Sequence, residues 1–322
     1  MRILVAGANG YLGGRISAYL AGRGHRINAL VHRLPQDAGE WRQKMARVIE
    51  GDAADEAILA SALRDDIDCT VFTISLDHRA SEQDVLKTLK VNAGIYWKML
   101  ETYTKIGGGR VIYLSTQQVY GRYESGTVIN EETPLRPVNA YGLTHRYGEE
   151  LGSLYTREKG LKCISLRISN GYGALAFDAS SGWRPAINEL AKMAKEKGEI
   201  RLVSDGTPQR DFIPAGDICR AIEMIAALPA DTLEYDSYNL GSGRTHTILE
   251  AAHEITKTYH EKYGKEVPVI LPDDKIAPDA RQHRDIPRFR YDISRIRKIG
   301  FTPSPSLQPG IQELLEYLEK NA

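Results

Sequence analysis

The sequence predicts an α/β fold: a doubly wound parallel sheet with a smaller C-terminal lobe. Three observations predict it. Short apolar runs alternate with helical patterns through residue 170, a glycine-rich turn follows the first run, and the rhythm breaks beyond residue 170. A chain of 322 residues with 42% hydrophobic content buries a substantial core, and its length suggests two lobes.

The predicted strands are residues 3–6, 27–31, 46–49, 70–74, 110–114 and 163–168. The predicted helices between them are 12–23, 56–62, 82–105 and 141–158. Beyond residue 170 the pattern predicts helices at 186–197, 215–227 and 309–319, and a further strand at 238–242 ending in a glycine turn. Residues 1–170 are therefore expected to form the first domain, with the chain returning to it around 211–245, and residues 171–322 the smaller lobe. No repeat or low-complexity tract interrupts the sequence.

Lys plus Arg and Asp plus Glu both number 42, so no global field recruits nucleic acid or an anionic membrane. Cys69, Cys163 and Cys219 lie far apart without a CxxC pair and read as core thiols of a reduced compartment. The first apolar run is too short for a signal segment or a membrane span, so a cytoplasmic protein with a small-molecule partner is expected. His253 and His260, seven apart on a helical pattern, lack further ligands for a metal.

The strand at 3–6 runs into Gly7-Ala8-Asn9-Gly10-Tyr11-Leu12-Gly13 and then a helix. Gly7 permits the tight turn, Gly10 lets backbone approach a pyrophosphate, and Gly13 allows the helix to pack on the strand. The helix N-terminus offers free N–H groups and a positive dipole end to phosphates, as in a Rossmann dinucleotide site. The second strand ends Leu30-Val31-His32-Arg33, with Val31 where an NAD-selective site places a carboxylate. His32 and Arg33 suit a 2′-phosphate, which favours NADP over NAD; both also read as solvated loop residues. Asp52 is positioned to accept from adenine or to cap the helix beginning near Asp55.

After the fifth strand comes Ser115-Thr116-Gln117-Gln118-Val119-Tyr120-Gly121, and Tyr141-Gly142-Leu143-Thr144-His145 begins 25 residues after Thr116. Over nearly its whole length the chain resembles the extended short-chain dehydrogenase/reductase family of sugar-nucleotide epimerases, 4,6-dehydratases and ketoreductases. The resemblance takes in the glycine loop, Asn92, residues 166–173, Arg210-Asp211-Phe212-Ile213, residues 239–243 and residues 287–292. It implies that Tyr141 exchanges a proton with a sugar oxygen during hydride transfer, with Thr116 bonding the same oxygen. It also implies cofactor contacts at Gly7, Asn9, Gly10, Tyr11, Leu12, Gly13, His32, Arg33, Asp52, Ala53, Ile74, Asn92, Tyr141 and His145. Gln117, Asn170, Arg210 and Arg281 are the candidates on the sugar-nucleotide side, where a guanidinium gives bidentate contact to a diphosphate.

The family's lysine, four residues beyond the tyrosine, is replaced by His145. Moving a tyrosine from ~10 towards ~7 takes about 4 kcal/mol of anion stabilisation, which that lysine helps to supply. Three readings of His145 stand open: a cationic substitute, a slow enzyme relying on nicotinamide charge, or lost catalysis with ligand binding kept. Arg146 points to another face, and the Tyr155–Lys159 string reads as an accident of a solvated helix. Gln117 and Gln118 replace the Asp-Glu of the dehydratases, and an amide cannot protonate a leaving hydroxyl. A dehydratase is therefore not expected; 4-epimerisation or keto-sugar reduction is.

The basic stretch 281–298 holds seven Arg or Lys against two Asp and reads mostly as a solvated helix with ion pairs. It also motivates the rival reading, a nucleotide-binding regulatory or RNA-binding protein, which the balanced charge opposes. The resemblance implies a homodimer through the helices carrying Trp97 and Tyr141.

Overall fold

Seven parallel strands form the central sheet in the order β11-β7-β5-β4-β1-β2-β3. They are β1 Arg2–Ala6, β2 Arg26–Val31, β3 Arg47–Glu50, β4 Cys69–Phe72, β5 Arg110–Thr116, β7 Lys162–Ile168 and β11 Ser237–Leu240. The computed structural model describes residues 1–64, 66–106, 109–178, 180–272 and 287–321. Both faces of the sheet are covered, which is why its strands are apolar almost throughout. Ile3, Val5, Ala29, Val71 and Ile112 point into one core, and their neighbours Leu4, Ala6, Leu30, Phe72 and Val111 into the other.

On the first face lie α1 (Tyr11–Gly22) and α9 (Ala215–Ala227), and on the second α3 (Glu56–Ala62), α6 (Ile95–Ile106) and α7 (Ala140–Lys159). From β1 the chain winds outward to β2 and β3, then crosses back to β4 on the other side. The order reverses between β1 and β4, and ligands of such sheets bind beyond the carboxyl ends of the strands at that reversal.

A third core gathers Tyr172, Ile187, Leu190, Phe212, Ile255, Ile311 and Leu314 between α8 (Ala186–Lys197), α10 (Ile248–Tyr263) and the helix Gln308–Lys320. Thr247 and Glu250 open α10 with a reciprocal capping box. Residues 237–240 add the edge strand beside β7, and Phe289, Tyr291, Ile293 and Ile296 also join the first core. Among the described residues no helix is long and apolar enough to cross a membrane.

Three expectations need correction. The helix predicted over 82–105 is four pieces: α4 (His78–Gln83), α5 (Val85–Leu89), a π-helical turn at Lys90–Gly94, and α6. Asp84 breaks it, because its extended backbone ends α4 while its side chain accepts from Lys87 N and starts α5. Tyr155 is not solvated; it is buried and its hydroxyl accepts from Trp97 Nε1. The basic stretch is not a solvated helix either, since among its described residues only Ser294–Lys298 is helical. Arg288 clasps Glu250, and Arg295 pairs with Glu132 and lies over the Tyr235 ring. Arg281 lies outside the described residues.

Candidate active site

The glycine loop builds the inner end of a cleft of about 420 Å³. At Gly7, φ is +89° and an added Cβ would lie 2.7 Å from Thr73 Oγ1; at Gly13 it would lie 2.1 Å from Gly7 O. Both positions exclude a side chain. A Cβ at Gly10 would meet only Gly7 O, at 3.3 Å, so this glycine leaves its outer side open. No side chain caps α1, and its first-turn N–H groups face the cleft where a pyrophosphate would sit. Loop and helix start therefore fit the dinucleotide.

The other cofactor candidates are placed unevenly. Asn9 donates from Nδ2 to Arg33 O and ties the loop to the end of β2, while His32 and Arg33 are exposed beside it. Glu50, paired in register with Val31, accepts from Leu34 N and brings a carboxylate to the same edge. Asp52 is exposed and turns back to Ala54 N; the cap of α3 is Asp55. Ala53 is buried, and Ile74 packs under Gly7. Asn92 is held by the protein itself. It is fully buried in the π-helical turn, accepting from Leu76 N at 2.7 Å and donating to Thr144 Oγ1 at 3.1 Å. Its amide clamps the loop after β4 onto α7.

Thr116, Tyr141 and His145 all line the inner cleft. Thr116 ends β5 and Tyr141 opens α7, and a buried brace sets the two elements in place. Glu149 on α7 accepts from Ser115 Oγ and from Arg167 Nε and Nη2 of β7, the last at 2.7 Å. Gly148 lets α7 lie against β5, where a Cβ would come within 2.3 Å of Tyr113 Oη. The ring of His145 stands 4.5 Å from that of Tyr141, edge to face.

The surroundings of His145 disfavour its charged form. The residue is 3% exposed, and burial pushes its pKa down to about 4, partly opposed by a hydrogen bond with the Leu114 backbone. Both ring nitrogens are engaged: Nε2 lies 3.1 Å from Ser75 Oγ and Nδ1 lies 3.2 Å from the Tyr113 hydroxyl. Burial thus opposes the reading of His145 as a cationic substitute for the lysine. Arg146 is turned away and donates to Leu135 O. With burial raising it and Asp77 adding to the effect, the Tyr141 phenol sits at about 12.

An outer pocket of about 830 Å³ adjoins the cleft and carries Gln117, Asn170 and Arg210, so the described sugar-nucleotide candidates are brought together. Asn170 is anchored by donating to Asp211 O, and Arg210 is exposed at the rim. Residues not singled out from the sequence also meet here. His78 lines both cavities, with its ring 6.4 Å from that of Tyr141. Arg184 crosses the mouth of the cleft to pair with Asp77. Ser75, Asp77 and His78 all follow β4, at the strand end where this fold places ligands.

Residues 3–241 match the model of the NAD dependent epimerase/dehydratase family. The chain belongs to this family. A UDP-glucose 4-epimerase from Streptococcus mutans is 28% identical, covering 93% of this chain and 94% of that protein. A dTDP-4-dehydro-6-deoxy-D-allose reductase from a Streptomyces species is 26% identical over 97% of this chain and 94% of its own length. The fold matches that of UDP-glucuronic acid 4-epimerase from Bacillus cereus, solved with UDP-glucuronic acid and NAD. That match has a TM-score of 0.79 at 22% identity and covers both chains completely.

Proposed function

We propose that the chain is an NAD(P)-dependent enzyme that oxidises and reduces a carbon of a nucleotide sugar, as a 4-epimerase or a keto-sugar reductase. The observation that carries this is the meeting of Tyr141 and Thr116 in one cleft that begins at the open side of Gly10. In this reading the bound nicotinamide supplies the hydride chemistry. Tyr141 Oη moves the proton of the sugar oxygen, and Thr116 Oγ1 positions that oxygen. His145 acts as a neutral spacer that orients Ser75 and Tyr113 beside Tyr141. Gln117 and Gln118 cannot serve as acid and base, which is the ground for setting a dehydratase aside.

We assign residues 1–170, with the return around 211–245, to the dinucleotide half and the remainder of 171–322 to the substrate half. Exposed His32 and Arg33 support NADP, and the Glu50 carboxylate at the same edge supports NAD. The relatives named above act on nucleotide sugars, which supports that substrate class. A homodimer is supported by an apolar stripe on α7, where Leu143, Tyr147 and Leu154 share a face with about half of each side chain exposed, near Trp97 of α6. A cytoplasmic location fits three buried, unpaired cysteines.

The test combines absorbance at the nicotinamide band, with NADH and NADPH on keto sugars, and chromatographic detection of the 4-epimer, with NAD and NADP on hydroxyl sugars, for wild type and Tyr141→Phe. Turnover lost in the variant supports the assignment. Equal rates remove Tyr141 from the chemistry, and no turnover with any pair refutes the enzyme.

A further inference from the structure

Gln118 stands where the inner cleft meets the outer pocket and lines both. The hydrogen bonds around it decide which end of its amide those cavities see. They start from a backbone donor whose role is unambiguous: Gly142 N donates to Asn139 Oδ1 at 2.7 Å, capping α7. The other amide atom of Asn139 is therefore Nδ2, which can only donate, and it gives to Gln118 at 2.9 Å. The accepting atom of Gln118 is then Oε1. This leaves Nε2, a pure donor, with no hydrogen bond among the described residues, on a side chain that is half-buried.

The residue is also held from behind. Its backbone N donates to Thr116 Oγ1 at 3.2 Å, and a Cβ at Gly142 would lie 2.6 Å from its carbonyl oxygen. Donor direction is thus tied to the two elements that carry Thr116 and Tyr141. Next to it, Gln117 keeps a buried Oε1 that has no partner among the described residues, so the wall beside Gln118 also calls for a polar ligand.

We propose that Gln118 is a specificity-determining residue. Its locked amide nitrogen donates to an oxygen flanking the reacting sugar carbon, so the site selects nucleotide sugars that carry this oxygen over their deoxy counterparts. The inference rests on the nucleotide-sugar reading above. A site built to hydrogen-bond a substrate group rejects the analogue lacking it, because the fixed donor is left desolvated and unpaired.

Two substitutions remove the donor without putting an acceptor in its place. Gln118→Met keeps the length of the side chain but neither donates nor accepts, and Gln118→Leu does the same with a branched chain, so a sugar hydroxyl finds no partner there in either. The measurement is calorimetric titration of protein saturated with reduced cofactor, where UDP-glucose and dTDP-glucose and their 3-deoxy and 6-deoxy forms bind without turnover. Wild type is expected to bind the parent about tenfold or more tightly than one of the two deoxy forms. Each variant should bring that ratio to within about twofold, leaving the Kd of the deoxy form unchanged. Equal binding of all forms by wild type, or a ratio that persists in either folded variant, overturns the inference alone. Absence of binding by every nucleotide sugar to wild type overturns the substrate reading and the inference with it.

Discussion

Acidification should destabilise this protein through His145, and His145→Gln should remove that part of the effect. The imidazole carries its ordinary pKa of about 6.5 in the unfolded chain and is pushed down to about 4 in the fold. Below pH 6.5 the unfolded state therefore binds the proton first. Stability contributed by the neutral ring is present above 6.5, falls as the pH drops towards 4, and levels off below. At 1.36 kcal/mol per unit, the loss at pH 5 is about 2 kcal/mol, a factor of about 30 in the unfolding equilibrium. Asp211 acts the other way: burial holds its carboxyl up at about 6, so its contribution grows as the pH falls through that value. The raw profile of wild type mixes the two. The difference between wild type and His145→Gln isolates the histidine, because both proteins keep Asp211. Urea unfolding at pH 7 and pH 5 gives that difference. A pH-dependent loss of the same size in both proteins would refute the buried neutral imidazole.

In the reaction, the high phenol pKa of Tyr141 should give a turnover rate that rises with pH. His145→Lys places an ammonium beside Ser75 Oγ and Tyr113 Oη, and the alkaline limb should move down by about 1 to 3 units; a pH–rate series in which the limb stays put contradicts this. Gly13→Ala forces a Cβ against Gly7 O and should cost about 1–3 kcal/mol of stability together with dinucleotide affinity. Gly10→Ala, with its outer side open, should weaken the cofactor alone; thermal unfolding with and without NADH separates the two. Leu143→Asp with Leu154→Asp puts charge on the α7 stripe and should shift sedimentation to the monomer, with unchanged mass arguing that the stripe covers nothing.

Strand positions were legible because the inner strands of the central sheet are buried on both faces, so each is a compact apolar run between turn residues. Helices with one apolar face were equally plain: 56–62, 186–197 and 215–227 form as predicted. The helix over 82–105 failed because an aspartate inside an apolar periodicity looks like a solvated residue, while here it breaks the backbone at Asp84. At the site, the glycine loop was legible from residue type and its place between strand and helix, whereas Thr116 and Tyr141 were expected only through the resemblance to the family's motif; the fold brings both to one cleft. His145 could be seen as a substitution, but its state depends on Tyr113 and Ser75, which only the packing of β5, α7 and the loop after β4 brings to it. The bracing by Asn92 was hidden for a related reason: a sequence shows a polar residue, not which neighbours its amide joins.

The late arrival of β11 has a consequence for synthesis on the ribosome. Six strands of the sheet are complete once residue 168 has emerged, yet β7 then keeps an unpaired edge until residues 237–240 reach it. Ser165 N also waits for Asp236 O, and Arg167 O for the Tyr291 hydroxyl. A nascent chain paused near its middle would expose that edge to other nascent chains on the same message. Slow translation between residues 168 and 240 should therefore lower the yield of soluble protein more than the same delay placed after residue 291.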